Sequence, residues 1–283
     1  MRVLAWNIQH GGGPSRMPLI ALALLEARAD LVALCEYRSR RGGQLRALLC
    51  DHGLSCQLAS EAGPTDNGVL LASRYPIEQG PELGLGTHLR RRWATAIVTT
   101  PHGRIAIAMV HVPDDTKPSD KAAFWQGLCA YARAHEGEAA IILGDFNTAR
   151  REDIRSGFRT RCDAMIGQLA ALGFGDAYTI ANAQSAGGSG VRAVRPISWK
   201  GPLDQASRID AAYVSRGLRE RIRACAYRGL EENGLQNAGQ EPVFPQGEGA
   251  AEDRHPSDHA MLLVEVDLET ACLPGKAAGL VPH

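Results

Sequence analysis

The chain is punctuated by short, almost unbroken apolar runs that stop at, or start from, a polar side chain. Val3 to Trp6 stops at Asn7, and Leu31 to Cys35 stops at Glu36. Ile105 to Val110 stops at His111, and Ala139 to Leu143 passes through Gly144 into Asp145. Asp210 opens Ala-Ala-Tyr-Val, and Asp258-His259 precede Ala260 to Val266. Runs of four to eight apolar residues between turn signals are strands buried on both faces. A carboxylate set against such a strand costs desolvation energy unless a metal, a cation or hydrogen bonds offset it. Strand ends are also where layered folds build their sites. If these ends converge, one cleft holds several carboxylates, two asparagines and two histidines.

Between the runs, residues 17–28, 43–52, 118–135 and 162–172 carry helical periodicity, and Gly68 to Ala72 reads as a further strand. Pro101-His102-Gly103 is a tight turn, so Trp93–Thr100 and Arg104–Val112 pair as a hairpin. The Gly- and Ser-rich segment 185–190 and the polar segment 231–257 read as loops, and 269–283 as a frayed tail. Strands and helices alternate while hairpins interleave. The expectation is an α/β (α+β) fold in which two mixed β-sheets pack face to face with helices outside. A single domain would span residues 1–268.

The 283 residues carry 31 basic and 31 acidic side chains, so the formal net charge is zero. That balance excludes a highly charged disordered chain and a binder basic over its whole surface. No cationic leader precedes an apolar core at the N-terminus, and no run of about 18 apolar residues occurs. The seven cysteines are odd in number and include no Cys-x-x-Cys pair. They read as reduced, mostly buried thiols of a cytoplasmic protein, with no membrane contact and no obligate protein partner in view.

The polar set is hard and oxygen-rich. It lacks a thiolate and lacks two histidines at metal spacing, which favours Mg²⁺ or Mn²⁺ over zinc. Metal-assisted phosphoester hydrolysis fits that chemistry. Taken singly the residues are ordinary: Gly144-Asp145-Phe146-Asn147 is an acceptable turn, and Glu36 an acceptable strand-end residue. Their joint occurrence and order carry the argument.

In that order, Trp6-Asn7, Glu36, His111-Val112-Pro113, Gly144-Asp145-Phe146-Asn147, Arg208-Ile209-Asp210 and Ser257-Asp258-His259 resemble the endonuclease/exonuclease/phosphatase superfamily. This group includes DNase I, exonuclease III and related abasic-site endonucleases, sphingomyelinases and inositol polyphosphate 5-phosphatases. The resemblance implies a four-layer, DNase I-like sandwich. It also implies roles. Glu36 would be the principal metal ligand with Asn7 beside it, and Asp258 would bind metal directly or through water. Asp145 would activate the attacking water and Asn147 would position that water or the phosphate, both near the metal. His259, polarised by Asp210, would donate to a non-bridging phosphate oxygen, and His111 would sit near the phosphate or leaving group. Asp114 departs from the pattern, since abasic-site nucleases often carry Asn there.

Charge gives the substrate expectation. Arg150, Arg151, Arg155, Arg159 and Arg161 face only Glu152 and Asp153 in one short segment, and Arg90-Arg91-Arg92 precede Trp93. Such patches bind a nucleic-acid backbone, and the expected partner is DNA as substrate. By the same family resemblance, Ser198-Trp199 makes Trp199 a candidate substrate-side aromatic. The alternative is a phosphatase or phosphodiesterase of a small-molecule, nucleotide or lipid phosphoester on the same site.

Overall fold

A computed structural model describes residues 1–158, 160–185, 195–230 and 256–269. Two βαβ units organise it. In the first, β1 (Arg2–Asn7) and β2 (Leu31–Tyr37) are parallel, joined across helix α1 (Gly13–Ala27). In the second, a hairpin of β6 (Trp93–Thr100) and β7 (Gly103–His111) leads through helix α3 (Pro118–Ala134) to β8 (Ala140–Asp145), parallel to β7. Parallel neighbours require such a crossover, and a helix is the usual one.

Each unit nucleates a six-stranded mixed sheet. Adding β3 (Cys56–Ala59), β4 (Gly68–Ser73), β14 (Ile222–Arg228) and β15 (Met261–Val266) gives the order β14-β15-β1-β2-β4-β3. Adding β5 (Ile77–Gln79), β10 (Gly175–Asp176) and β13 (Asp210–Val214) gives β10-β13-β8-β7-β6-β5. A small third sheet joins β9 (Ile154–Ser156), β11 (Trp199–Lys200) and β12 (Ala206–Ser207).

The period-two alternation of the strands explains the layers. From the first sheet Val3, Ala5, Leu31, Ala33 and Cys35 pack inward against Ile105, Ile107, Met109, Ile141 and Leu143 of the second. The intervening Leu4, Trp6, Val32 and Leu34 face outward onto α1 and α2 (Ser39–Asp51). Ala106, Ala108, Val110 and Ile142 face outward onto Phe124 and Leu128 of α3 and Ile166 and Leu169 of α4 (Asp163–Ala171). Because both faces of these central strands are covered, they read as continuous apolar runs. The four-layer α/β sandwich expected from the sequence is the observed architecture.

Differences are local. Helix α1 starts at Gly13 and α2 at Ser39, earlier than periodicity alone suggests. Helix α5 (Ala177–Ser185) and strands β3, β5 and β14 are additional. Strand β2 does not end at Glu36 but runs on to Tyr37 through a bulge. Of the six described cysteines only Cys35 and Cys129 are buried, and Cys50 is exposed, so the thiols are less buried than expected. The loop expected over 185–190 lies outside the described residues apart from Ser185, which closes α5. Most of the 231–257 loop, and the tail beyond Glu269, lie outside them too. Among the described residues no helix is long and apolar enough to cross a membrane.

Candidate active site

Parallel pairing brings the C-terminal ends of four strands to one edge of the sandwich. Asn7 ends β1 beside Cys35, and His111 ends β7 in register with Asp145, which ends β8. Asp210 begins β13 directly opposite Asp145. His259 bridges to Trp199 and lies two residues before β15, the partner of β1. The edge therefore gathers residues that the chain separates by up to 252 positions.

Backbone geometry aims the side chains. Glu36 is the extra residue of the β2 bulge, at φ 59°, between Cys35 and Tyr37, which pair with Val69 and Gly68. The bulge inserts one extra residue, shifts the register with β4 by one between Cys35 and Tyr37, and so redirects the Glu36 side chain. Gly144, at φ 134°, lies so close to β7 that a Cβ there would sit 2.0 Å from the Val110 carbonyl oxygen. No other residue fits, which places Asp145 in line with His111. Asn147 is also left-handed, at φ 44°, and its amide Nδ2 donates to Val112 O at 2.9 Å.

The side chains form one connected set. Asn7 Nδ2 donates to Asp145 Oδ2 at 3.0 Å and to Glu36 Oε1 at 3.4 Å, bridging the two carboxylates. Its Oδ1 accepts from Gln9 N, so Asn7 steers these carboxylates while its own oxygen is engaged elsewhere. His111 Nε2 lies 3.9 Å from Glu36 Oε1 and 3.8 Å from Asp145 Oδ2. His259 Nδ1 lies 2.9 Å from Asp210 Oδ2, and its Nε2 is 4.0 Å from Asp145 Oδ2.

Burial and charge separate the protonation states. Burial pushes the Asp145 carboxyl up, Asp210 adds to it, and the group titrates at about 7. Burial alone would lower His259, but the Asp210 carboxylate outweighs it and raises the imidazole to about 10. His111 is driven down to about 3, by burial first and then by the charge of Arg92. Burial works to raise Glu36, yet the neighbouring histidines, the His10 N–H and the Asn7 amide hold it below the ordinary carboxylate range. Near neutrality the site thus pairs a cationic His259 with a neutral His111.

A divalent cation suits this donor set. Glu36 and Asp145 are oxygen donors facing one space through Asn7, and Asp258 Oδ1 is a buried acceptor with no hydrogen-bond partner. Ligand atoms of Asp145, Asp210 and His259 also lie within 4.8 Å of one another. In that trio, however, the Asp210–His259 contact holds a proton on the imidazole, which leaves Glu36 and Asp145 the better pair for a hard ion.

Supporting residues invisible to strand-end reading complete the site. Ser198 Oγ accepts from the N–H groups of both Ile209 and Asp210 at 2.8 Å. Ser257 Oγ donates to Asn7 O at 2.6 Å and accepts from His259 N at 3.1 Å. Trp6 Nε1 donates to His259 O. Lys121, fully buried, donates to Asp115 Oδ1 and Asn147 O, both at 2.6 Å. Its one sequence signal is the rarity of lysine, four against 27 arginines.

The expected substrate-side residues differ in exposure and in partners. Arg151 and Arg155 are exposed and Arg150 half-buried, and Arg159 lies outside the described residues. Asp153 does not offset this charge at the surface, because it is buried and accepts from Arg208 and Arg195. Trp199 is half-buried, with Phe158 edge-on at 5.5 Å and its ring over Gly201. The Arg90–Arg92 run divides. Arg90 is held by Glu61 and Glu82, whereas Arg91 donates to Asn67 O and Arg92 to His111 O, beside the cleft. Asp114 is exposed and accepts from the Thr116 N–H and hydroxyl, so it fastens a turn.

The family model for the endonuclease/exonuclease/phosphatase family matches residues 4–259, from β1 through His259. The chain belongs to this family. Its nuclease and phosphatase members alike cleave phosphoester bonds, so the protein is a phosphoester hydrolase. A search of curated proteins finds no match. Solved structures share the family architecture. A 3'-5' exonuclease (NExo) from Neisseria meningitidis aligns at TM-score 0.67 and 20% identity, covering 94% of this chain and 100% of that one. An AP endonuclease from Archaeoglobus fulgidus aligns at TM-score 0.70 and 18% identity, covering 94% and 99%. Truncated TDP2 from Caenorhabditis elegans aligns at TM-score 0.64 and 15% identity, covering 94% and 96%.

Proposed function

We propose that this family member is a Mg²⁺- or Mn²⁺-dependent phosphodiester hydrolase whose substrate is DNA. The observation that carries the reading is the position of Asp145. It is a buried carboxylate held by Asn7, with the Glu36 carboxylate on one side and a cationic His259 on the other. That position, within reach of both an ion and a phosphate donor, suits a general base.

Glu36 and Asp145 would hold the ion, with Asp258 and Asn147 at its margin, and the ion would supply neutralisation of phosphate charge. Asp145 takes the proton of an attacking water. The left-handed backbone of Asn147, fastened by Lys121, donates its own N–H to Asp145 Oδ1 and so fixes that carboxylate. His259 keeps its proton through Asp210 and donates to a non-bridging phosphate oxygen as negative charge grows there. His111, neutral, faces the same space and can hydrogen-bond the phosphate or leaving group. No covalent intermediate is needed, because the residues position and neutralise.

Arg150, Arg151 and Arg155, which follow Asn147 closely in the chain, and Arg91 and Arg92, whose charge reaches His111, support a polyanionic substrate. A structural neighbour described as the 3' phosphatase NExo from Neisseria, bound to a product DNA hairpin, adds support for DNA. A substrate panel with Mg²⁺ or Mn²⁺ tests the reading: plasmid, abasic duplex, single strands, RNA, a chromogenic phosphodiester and lipid phosphoesters. Cleavage of a DNA substrate that EDTA stops is expected. Turnover of a small or lipid phosphoester alone would assign the site to that substrate class instead.

A further inference from the structure

Between β1 and α1 the backbone passes through five consecutive residues at positive φ: Gln9 47°, His10 56°, Gly11 72°, Gly12 72° and Gly13 65°. Glycine adopts this region freely, but Gln9 and His10 are strained there. Such strain persists only where the surroundings over-determine it, and it concentrates at functional sites. Here the surroundings are explicit. Gln9 N donates to Asn7 Oδ1 at 3.0 Å, and Gly12 N donates to Ile8 O at 3.0 Å. Arg16 clamps the turn from outside, donating to Gln9 Oε1 at 2.6 Å, Gln9 O at 2.8 Å and Pro256 O at 3.0 Å.

The turn delivers His10 onto Glu36. The His10 N–H donates to Glu36 Oε2 at 2.7 Å, and the ring Nδ1 lies 2.8 Å from the same oxygen. The other oxygen, Oε1, is turned toward Asn7 Nδ2 and His111 Nε2. Glu36 is itself the left-handed bulge residue of β2, so two strained segments meet at one carboxylate. Asn67 Nδ2 lies 3.0 Å from His10 Nδ1, with Asn67 Oδ1 tied to Arg38 Nε at 2.7 Å. Nδ1 can accept from Asn67 or, when it carries the proton, donate to Glu36, but not both. The backbone bond to Oε2 stands in either case.

We infer that His10 is a positioning residue for Glu36: it engages Oε2 and leaves Oε1 as the oxygen this carboxylate offers to a divalent cation. The inference rests on the metal reading above. Groups that orient a metal-binding side chain from behind commonly change metal affinity 10- to 100-fold when removed.

Calorimetric titration of the full chain with Mn²⁺ tests it, using wild type, Glu36→Gln, His10→Gly and Arg16→Ala. Glycine accepts the left-handed backbone, so His10→Gly should melt no lower than wild type. Its Mn²⁺ affinity should fall about 10- to 100-fold. Arg16→Ala, which loosens the turn without touching Glu36, should weaken binding in the same direction by less, and it serves if His10→Gly fails to fold. Mn²⁺ affinity in His10→Gly equal to or tighter than wild type, with binding still abolished by Glu36→Gln, overturns the role of His10 alone. Wild type that binds no Mn²⁺, or Glu36→Gln that binds it as well as wild type, overturns the metal reading and this inference with it.

Discussion

Asp210 Oδ2 lies 2.9 Å from His259 Nδ1, both side chains are buried, and two independent anchors hold the pair in place. Ser198 Oγ accepts the Asp210 N–H, and Tyr227 donates its hydroxyl to Asp210 O at 2.7 Å. The contact keeps the far nitrogen of His259 protonated and pointed at the space beside Asp145.

Removing either member should therefore lower turnover far more than binding. His259→Ala should cost about 10²–10³ in kcat, the usual loss of one electrostatic donor to developing charge. Asp210→Asn should follow it, with KM for DNA little changed. Steady-state kinetics on a DNA substrate check this, and a change in KM alone would contradict the role.

Arg208 occupies a buried junction two residues before Asp210, donating to both oxygens of Asp153 and both of Asp176. Arg208→Met would leave buried Asp176 without its cation and Asp153 with Arg195 alone, at a cost of about 3–5 kcal/mol. Burial works to raise Asp176, but Arg208 outweighs it and holds the carboxyl below its ordinary value. A folded pKa depressed in this way gives stability that is present above the unfolded value, about 3.9, and is lost as pH falls through the lower folded one. Without Arg208, burial would raise Asp176 instead, and acid would relieve its uncompensated charge. Urea melts at several pH values should show the gap between wild type and Arg208→Met narrowing below about pH 4.

Gly144→Ala should destabilise the protein sharply. Its Cβ would meet the Val110 carbonyl oxygen at 2.0 Å, on a backbone at φ 134° that side chains rarely adopt. Backbone strain alone costs about 1–3 kcal/mol, and the clash separates β7 from β8. Thermal melting and loss of activity should appear together.

Much of this site was legible because each apolar run stops where its strand leaves the core. Asn7, His111, Asp145 and Asp210 are found in that way. Glu36 was legible as a residue but not as a bulge, since its φ depends on how Cys35 and Tyr37 pair with β4. Ser198, Lys121, Arg208 and His10 were not assigned roles from sequence. Their significance lies in partners six to 57 positions away, and a lone Ser, Lys or His has no local signature. Strands β3 and β5 escaped because they are short edge strands, paired on one side, whose exposed faces break the apolar pattern.

The arginine cluster that follows Asn147 should act through phosphate charge. Reversing Arg150, Arg151 and Arg155 to Glu should weaken DNA binding at low salt. It should also flatten the slope of log affinity against log salt by about 0.9 for each phosphate no longer neutralised. Filter binding or anisotropy across a salt series reads both. An unchanged slope would mean that these arginines are merely solvated.

The most direct test of a buried carboxylate base in a metal-dependent site is the rate of DNA cleavage by wild type and Asp145→Asn, measured with Mg²⁺ and again with EDTA. Wild type should cut with Mg²⁺ and stop with EDTA, and Asp145→Asn should be slower by at least about 10²-fold while keeping its fold. Cleavage by Asp145→Asn at near the wild-type rate, or cleavage by wild type that EDTA leaves untouched, would contradict it.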